Sequence, residues 1–80
     1  MSLTFFGKDP QSDDKDCPSV WVDDEAREFV FQGWDALEEL LATCRAQGPV
    51  PDGESVVRLP FKMADQIRKA CDAAAAHGYD

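Results

Sequence analysis

The sequence predicts a small α+β domain, in which a β-hairpin forms the centre of a small sheet and two helices pack on one face of that sheet. Two apolar runs within residues 19–34 flank a charged break, a pattern typical of a hairpin. Two later segments, one after Asp35 and one after Pro60, repeat apolar side chains at helical spacing. The expected order is β-β-β-α-β-α. We expect all 80 residues to form a single domain, near the size at which one core is barely sufficient.

The first expected element is a short strand at residues 3–6, which ends at Gly7. Because it is short, we expect it at an edge of the sheet, where it shields little apolar surface. Residues 8–19 follow as a polar segment rich in turn-forming residues, which predicts a surface loop.

The register of the hairpin follows from a two-residue turn at residues 25–26. Strand period two then places four apolar side chains on one face of the hairpin: Val20, Val22, Phe29 and Phe31. The same register sets Asp23 opposite Glu28, and like charges in that position repel each other. A longer, irregular loop over residues 23–28 is therefore the alternative.

The first helix has the clearest signals. Asp35 is expected as its N-cap, and Glu38 three residues later completes a capping-box pattern. Gly48 and Pro49 are expected to end it. The apolar face of this helix follows i, i+3, i+4, i+7 spacing: Leu37, Leu40, Leu41 and Cys44.

The remaining elements are a turn at residues 51–53, a strand at residues 55–59 and a second helix that begins at Pro60 and ends at Gly78. The first helix would then be a right-handed crossover from a strand at residues 29–33 to a parallel strand at residues 55–59. An apolar stripe is expected on the second helix: Ala64, Ile67, Cys71 and Ala74.

The charge is strongly negative and unevenly distributed. The net charge is −8, and residues 9–39 contain eleven acids but only two bases. Phosphate binding requires clustered Lys and Arg, so we expect no direct contact with nucleic acid. The acidic segment suits a basic protein partner, or it serves only to keep the chain in solution.

Three cysteines, Cys17, Cys44 and Cys71, are an odd number and form no CxxC pair. Cys44 and Cys71 fall on predicted apolar helix faces, which predicts buried thiols. Cys17 lies in the polar loop beside acids that disfavour a thiolate, and we expect it to be tucked against the hairpin. Reduced thiols, together with no signal-peptide pattern and no apolar run of membrane-spanning length, favour a cytoplasmic protein.

His77 is the only histidine, and a general base needs both a partner and a cleft. We expect instead a solvated helix end with His77 near the last carbonyl groups. The five glycines are isolated, so no glycine-rich phosphate loop exists. The sequence assigns no catalytic, cofactor-binding or metal-binding residue and implies no cofactor. A pocket that joined His77, Cys17 and an acid would favour an enzyme.

Trp21, Val30 and Trp34 are the candidate interface residues. Trp21 and Val30 have the strand parity opposite the core face, and Trp34 has the same parity as Val30 and is expected on that face too. Two helices can cover only one side of a sheet, so an apolar patch should stay exposed on the other. The alternative is that the tryptophans belong to the core, and Trp34 lies next to a helix start where packing is expected.

Four segments, read in order, resemble a group of small acidic actinomycete proteins that accompany helix-turn-helix regulators: residues 3–10 (LTFFGKDP), 17–22 (CPSVWV), 30–34 (VFQGW) and 56–60 (VVRLP). A looser similarity links the chain to the BldB-like small regulators. The resemblance covers most of the chain and implies a companion of a DNA-binding regulator. Its motifs are structural, so no functional residue is carried over.

The function expected from the sequence is a non-enzymatic protein-interaction module. Its partner would be a protein, such as a DNA-binding regulator, or a second copy in a homodimer. No membrane contact is expected. The alternatives are a small metabolite-processing enzyme or enzyme subunit, and an acidic mimic of DNA whose carboxylates are spaced like phosphates.

Overall fold

An antiparallel three-stranded sheet forms the centre of the computed structural model, which describes residues 1–9 and 17–78. Its strands, in the order β1-β2-β3, are β1 (Leu3–Lys8), β2 (Ser19–Asp23) and β3 (Glu28–Gln32). A second, two-stranded sheet pairs β4 (Trp34–Asp35) with β5 (Val57–Arg58). The helices are α1 (Glu38–Gln47) and α2 (Ala64–His77), and a 3₁₀ turn at Phe61–Met63 leads into α2. The fold class is α+β, as expected.

The hairpin of β2 and β3 has the predicted register: Val20 pairs with Phe31, Trp21 with Val30, and Val22 with Phe29. Its turn is longer than predicted. Asp23 and Glu28 form the last pair, and the Arg27 N–H donates to the Asp23 carbonyl at 2.8 Å. The Asp23 carboxylate accepts the N–H groups of Glu25 and Ala26, each at 3.1 Å. Because these bonds satisfy Asp23, the hairpin tolerates Glu28 opposite it.

The core lies between the sheet and α2, which packs against β1 and β2. Its buried apolar residues are Val20, Val22, Met63 and Ala70. β1 contains a bulge between Phe5 and Gly7, and the extra residue, Phe6, packs against this core. Gly7 has φ +126°, and a Cβ there would lie 3.0 Å from Cγ of Gln66. Glycine therefore lets α2 approach β1 closely.

The expectation that both helices pack on one face of the sheet is wrong, because α1 takes no part in the core. The extensive contacts between elements do not include α1, and none of its residues is buried. Asp35 lies in β4 and is not the N-cap; Leu37 occupies that position without a side-chain cap. Leu37 therefore falls outside the helix, where it is 68% exposed. Without it, the predicted apolar stripe is shortened.

The predicted parallel crossover is also wrong. β5 is only two residues long, and it pairs antiparallel with β4 in a separate sheet. The backbone segments at Gly33 and Arg58 approach each other closely, and a Cβ at Gly33 would lie 2.4 Å from the Arg58 carbonyl oxygen. Because glycine has no Cβ, the two strands can pair. The observed order is thus β-β-β-β-α-β-α, with one more strand than predicted.

The turns and helix ends largely follow the sequence. Gly48 ends α1 and donates to the Cys44 carbonyl at 3.2 Å. Gly78 ends α2 in the left-handed conformation, with φ +88°. The turn predicted at residues 51–53 is closed by a hydrogen bond from the Glu54 N–H to the Pro51 carbonyl, at 3.1 Å.

The predicted loop at residues 8–19 begins later and ends earlier than expected. β1 includes Lys8, and Asp9 is buried beneath Lys62, whose Nζ lies 3.1 Å from its carboxylate. The rest of that prediction, for residues 10–16, lies outside the described residues. Among the residues described, no helix has the length and apolar character needed to cross a membrane.

Candidate functional site

Within the residues that the structure describes, no helix packs extensively on one face of the three-stranded sheet. Strand pairing puts Phe5, Trp21 and Val30 side by side on this face, and Leu3 has the same parity as Phe5. α2 packs against the opposite face, where Val20 and Val22 are buried. We call the surface formed by Leu3, Phe5, Trp21 and Val30 the uncovered face.

The uncovered face is aromatic and partly open to solvent. Phe5 is 55% exposed and Leu3 is 46% exposed, whereas Trp21 and Val30 are half-buried. The rings of Phe5 and Trp21 lie 5.5 Å apart at an angle of 47°. This tilted arrangement is favourable for two aromatic rings and holds Trp21 in place. Trp21 and Val30, two of the three predicted interface residues, are therefore adjacent on a surface that Phe5 extends.

Trp34, the third predicted interface residue, lies outside the strand pairs that form this surface. It lies in β4 and pairs with Arg58 of β5 in the second sheet. The Arg58 guanidinium lies over the indole ring, 5.6 Å from its centroid, a distance at which cation–π attraction is significant. The structure thus gives Trp34 a role in joining β4 to β5, and it is half-buried there.

The edge strand β3 is exposed on the α2 side as well. Phe29 and Phe31 have the parity of the core face, as predicted, but they are 47% and 41% exposed. Their rings stack with centroids 6.1 Å apart. The reason is that the extensive contacts of α2 with the sheet are made to β1 and β2, and not to β3. Sequence periodicity gives the face of a side chain, but it does not show how far a helix extends across that face.

His77, for which the sequence suggested no partner, contacts the hairpin turn. Its Nε2 lies 2.9 Å from Oδ1 of Asp24, and the other carboxylate oxygen accepts the Thr4 hydroxyl at 2.7 Å. These contacts lower the pKa of Asp24 below its ordinary value of 3.8. The hydrogen bond from Thr4 has the largest effect, and the hydrogen bond with His77 adds to it. The Arg27 guanidinium also donates to the His77 carbonyl. The cluster ties the end of α2 to the hairpin turn and β1.

A cleft of about 410 Å³ lies beside this cluster, between the hairpin and the last turn of α2. Val22, Phe29, Ala74 and His77 are among the residues that line it, and Cys17 is not. Within the described residues, no Ser, Thr or Cys side chain hydrogen-bonds to His77. An activated nucleophile needs such a contact with its base. The contact between His77 and Asp24 thus joins α2 to the hairpin turn beside a cleft with largely apolar walls.

Two of the cysteines differ from the prediction of buried thiols. Cys71, expected on the buried stripe of α2, is exposed, and Cys44, expected on the buried face of α1, is only half-buried. Cys17 is also half-buried. The buried residue of α2 is Ala70, one position earlier, because the helix is rotated relative to the predicted stripe. None of the three cysteines forms a disulfide within the chain. Over residues 1–9 and 17–78, no group of three or more His, Cys, Asp or Glu side chains could hold a metal ion.

Two features of the surface were missed by sequence reasoning. The exposure of Phe29 and Phe31 has no clear signal in the sequence, because the sequence does not show how far a single helix extends across the sheet. The contact between Asp24 and His77 joins residues 53 positions apart and has no local signal. Comparison of the chain with protein-family models, with curated proteins and with solved structures finds no match.

Proposed function

We propose that this chain is a non-enzymatic protein-interaction module that binds a partner through the uncovered face. The observation that carries this proposal is an aromatic sheet face on which no described helix packs. Large apolar patches on small domains usually mark contacts, and a small domain gains stability when such a patch is buried. Tryptophan beside phenylalanine is a typical centre for an interface, because both side chains bury much area for little loss of entropy.

The chemistry of the partner follows from the rim of the uncovered face. Asp23 and Glu28 form the last pair of the hairpin and have the same parity as Trp21 and Val30. Backbone hydrogen bonds, chiefly from the N–H of Ala26, lower the pKa of Asp23, so its carboxylate is ionised at neutral pH. An apolar centre with an acidic rim fits a partner with an apolar patch flanked by Lys and Arg.

A DNA-binding regulator in the cytoplasm has the required kind of basic surface. The resemblance to small acidic companions of helix-turn-helix regulators supports the same choice, as does the net charge of −8. Mimicry of DNA would use the same acids in a different way. DNA should displace the chain from its partner if the chain is a mimic, and should leave the complex intact if the uncovered face is the contact.

The test compares two exposed phenylalanines. Phe5→Ala removes a ring from the uncovered face, whereas Phe61→Ala removes a ring that is 99% exposed in the 3₁₀ turn before α2. Wild-type protein is used to capture its partner from native cytosol, and the affinity of each variant for the purified partner is then measured by calorimetry. We expect Phe5→Ala to weaken binding and Phe61→Ala to leave it unchanged.

Trp21→Ala should weaken the same complex by about 2 kcal/mol or more, as is usual for a tryptophan at the centre of an interface. Circular dichroism checks that each variant is folded. If Trp21→Ala unfolds the chain, Trp21 belongs to the core and Phe5→Ala alone decides the question. Equal losses for Phe5→Ala and Phe61→Ala, or no captured partner at all, would refute the proposed function.

The enzyme alternative depends on the pair formed by Asp24 and His77 beside the apolar cleft. A reaction that used His77 as a general base would be abolished by His77→Gln. Any turnover that Cys71→Ser preserves and His77→Gln removes would favour an enzyme over an interaction module.

A further inference from the structure

We infer that β3 pairs with β3 of a second copy of this chain, antiparallel and centred on Val30, so that two three-stranded sheets join into one of six strands. The inference rests on the proposed function in one respect only: both assume that the exposed apolar surface is buried when the chain associates with another molecule. It concerns a different part of the molecule, the open edge of the sheet. The uncovered faces of both copies would then lie on the same side of the joined sheet.

The two edges of the sheet differ in how well they are protected. An exposed edge strand directs alternate N–H and C=O groups outward, and proteins usually interrupt such edges with bulges, prolines or lysines. β1 has a bulge between Phe5 and Gly7. β3 pairs with β2 in unbroken register over five residues, and its sequence, EFVFQ, contains neither Pro nor Lys. Within the described residues β3 has no strand on its outer side, so it is the edge open to pairing.

The sequence of β3 is complementary to itself about Val30. In an antiparallel pair with this centre, Val30 faces Val30 of the second copy, Phe29 faces Phe31, and Glu28 faces Gln32. Aromatic pairs directly opposite each other stabilise antiparallel sheets, and Glu with Gln brings no like charges together. A two-fold axis through the Val30 pair generates the Phe29–Phe31 and Glu28–Gln32 contacts twice, as is required for a symmetric dimer.

The negative charge of the chain does not oppose this arrangement strongly. The acids of the hairpin turn, Asp23, Asp24 and Glu25, lie at one end of β3. Antiparallel pairing sends the two turns to opposite ends of the joined strands, about 30 Å apart at the usual rise per residue. Salt screens exposed charges over about 8 Å at physiological ionic strength. The two acidic turns therefore repel each other only weakly.

Pairing also gives Phe29 and Phe31 the neighbours that α2 does not provide. Both rings point to the α2 side, and each is almost half exposed. A two-fold axis perpendicular to the sheet keeps both α2 helices on the same side, each over β1 and β2 of its own copy. The trough between the helices lies over the two β3 strands, where the four phenylalanine rings would bury one another.

Charge substitutions at Gln32 test the register without disturbing the core, because Gln32 is exposed at the end of β3. Gln32→Lys would face Glu28 of the second copy, and Gln32→Glu would place like charges together. We expect sedimentation over a concentration series to show a wild-type dimer. Gln32→Lys should preserve or tighten it, and Gln32→Glu should weaken it about threefold or more. The double variant Glu28→Lys/Gln32→Glu should restore it.

Cysteine cross-linking tests the centre of the register in a Cys71→Ser background. Opposed residues of an antiparallel pair have Cα atoms about 4.5–5.5 Å apart, within the range for a disulfide. Val30→Cys should therefore cross-link to itself with oxidised glutathione as the oxidant. Phe29→Cys is the control, since its Cα lies about 8 Å from its own copy in this register, too far for a bond.

A wild-type chain that is monomeric at every concentration would overturn this inference. So would a dimer that responds equally to Gln32→Lys and Gln32→Glu, or that cross-links as readily through Phe29→Cys as through Val30→Cys. A monomer that still loses its partner on Phe5→Ala would leave the proposed function standing. A dimer with this register and no other partner would refute the proposed function and leave the inference intact.

Discussion

Asp23 and Asp24 are neighbours in the hairpin turn with different roles. The Asp23 carboxylate accepts backbone N–H groups within the turn, which fixes the local conformation. Asp24 bonds outward, to Thr4 of β1 and His77 of α2. One acid therefore shapes the turn, and the other joins the turn to two other elements of the fold.

The role of Asp24 predicts a measurable change in its pKa. The Thr4 hydroxyl is the largest cause of the lowered pKa, so Thr4→Val should move the pKa of Asp24 upward, toward 3.8. Carboxyl titration by NMR would measure it. Thr43→Val on α1, a similarly exposed Thr whose hydroxyl bonds within its own helix, is the matched control and should leave Asp24 unchanged. An unmoved Asp24 in Thr4→Val would show that this hydrogen bond does not form in solution.

The sign of the linked stability follows from the same shift. Because the folded state lowers the pKa of Asp24, the ionised form stabilises the fold. This contribution is fully present above the unfolded value of 3.8 and is lost as the pH falls through the lower, folded value. The difference in unfolding free energy between wild type and Asp24→Asn should shrink as the pH falls below 3.8. A difference that grows on acidification would contradict this account.

The exposure of the three thiols predicts the order in which they react. Cys71 is exposed, whereas Cys17 and Cys44 are half-buried. In the native protein, a thiol reagent followed by mass spectrometry should label Cys71 first, and Cys71→Ser should remove the fast phase. Faster labelling of Cys44 would mean that α1 is more open than its position in the fold indicates.

At the scale of whole elements, Gly33 decides how β4 meets β5. An added Cβ would lie 2.4 Å from the Arg58 carbonyl oxygen, a contact that only a backbone shift can relieve. Gly33→Ala should therefore destabilise the protein by about 1–3 kcal/mol, as overpacking usually does. Gly48→Ala is the matched control, because nothing lies within 4 Å of its added Cβ. Urea unfolding of both variants measures the difference, and equal stabilities would show that β5 does not approach Gly33 in solution.

The hairpin could be predicted from the sequence, whereas the placement of α1 could not. The position of the turn between the two apolar runs gives the register, and strand period two then gives the parity of each side chain. The apolar spacing of α1 was equally clear, but it says only that one face of the helix is apolar. Whether that face packs on the sheet depends on the path of the chain after Gly33. There the backbone lies close to the Arg58 carbonyl, in the second sheet.

The same distinction applies to the candidate surface. Trp21 and Val30 could be placed together because they are cross-strand partners, a local consequence of the hairpin register. Trp34 could not, because its environment depends on β5, which lies more than twenty residues away in the sequence. Phe5 was assigned to a strand, but its partner Trp21 follows only from the register between β1 and β2.

At the scale of the whole molecule, the fold is flat and extended for its length. Its extents are 35 × 34 × 20 Å, and its radius of gyration is 14.0 Å, against about 12 Å for a compact chain of this size. Among the described residues, four apolar side chains form the buried core, whereas nine large ones are exposed. Four of the nine, Leu3, Phe5, Phe29 and Phe31, lie on the three-stranded sheet, on which a single helix packs extensively. Association is the usual way to bury such surface.

The most direct test of the central claim is photo-cross-linking in native cells from one position on the uncovered face. A benzoylphenylalanine in place of Phe5 conserves an aromatic side chain and reacts only with what touches it, and the same replacement at Phe61 is the matched control. The account predicts adducts with another protein from position 5 and none from position 61. It would be contradicted if position 5 gave no adduct, or if both positions gave the same adduct in equal yield.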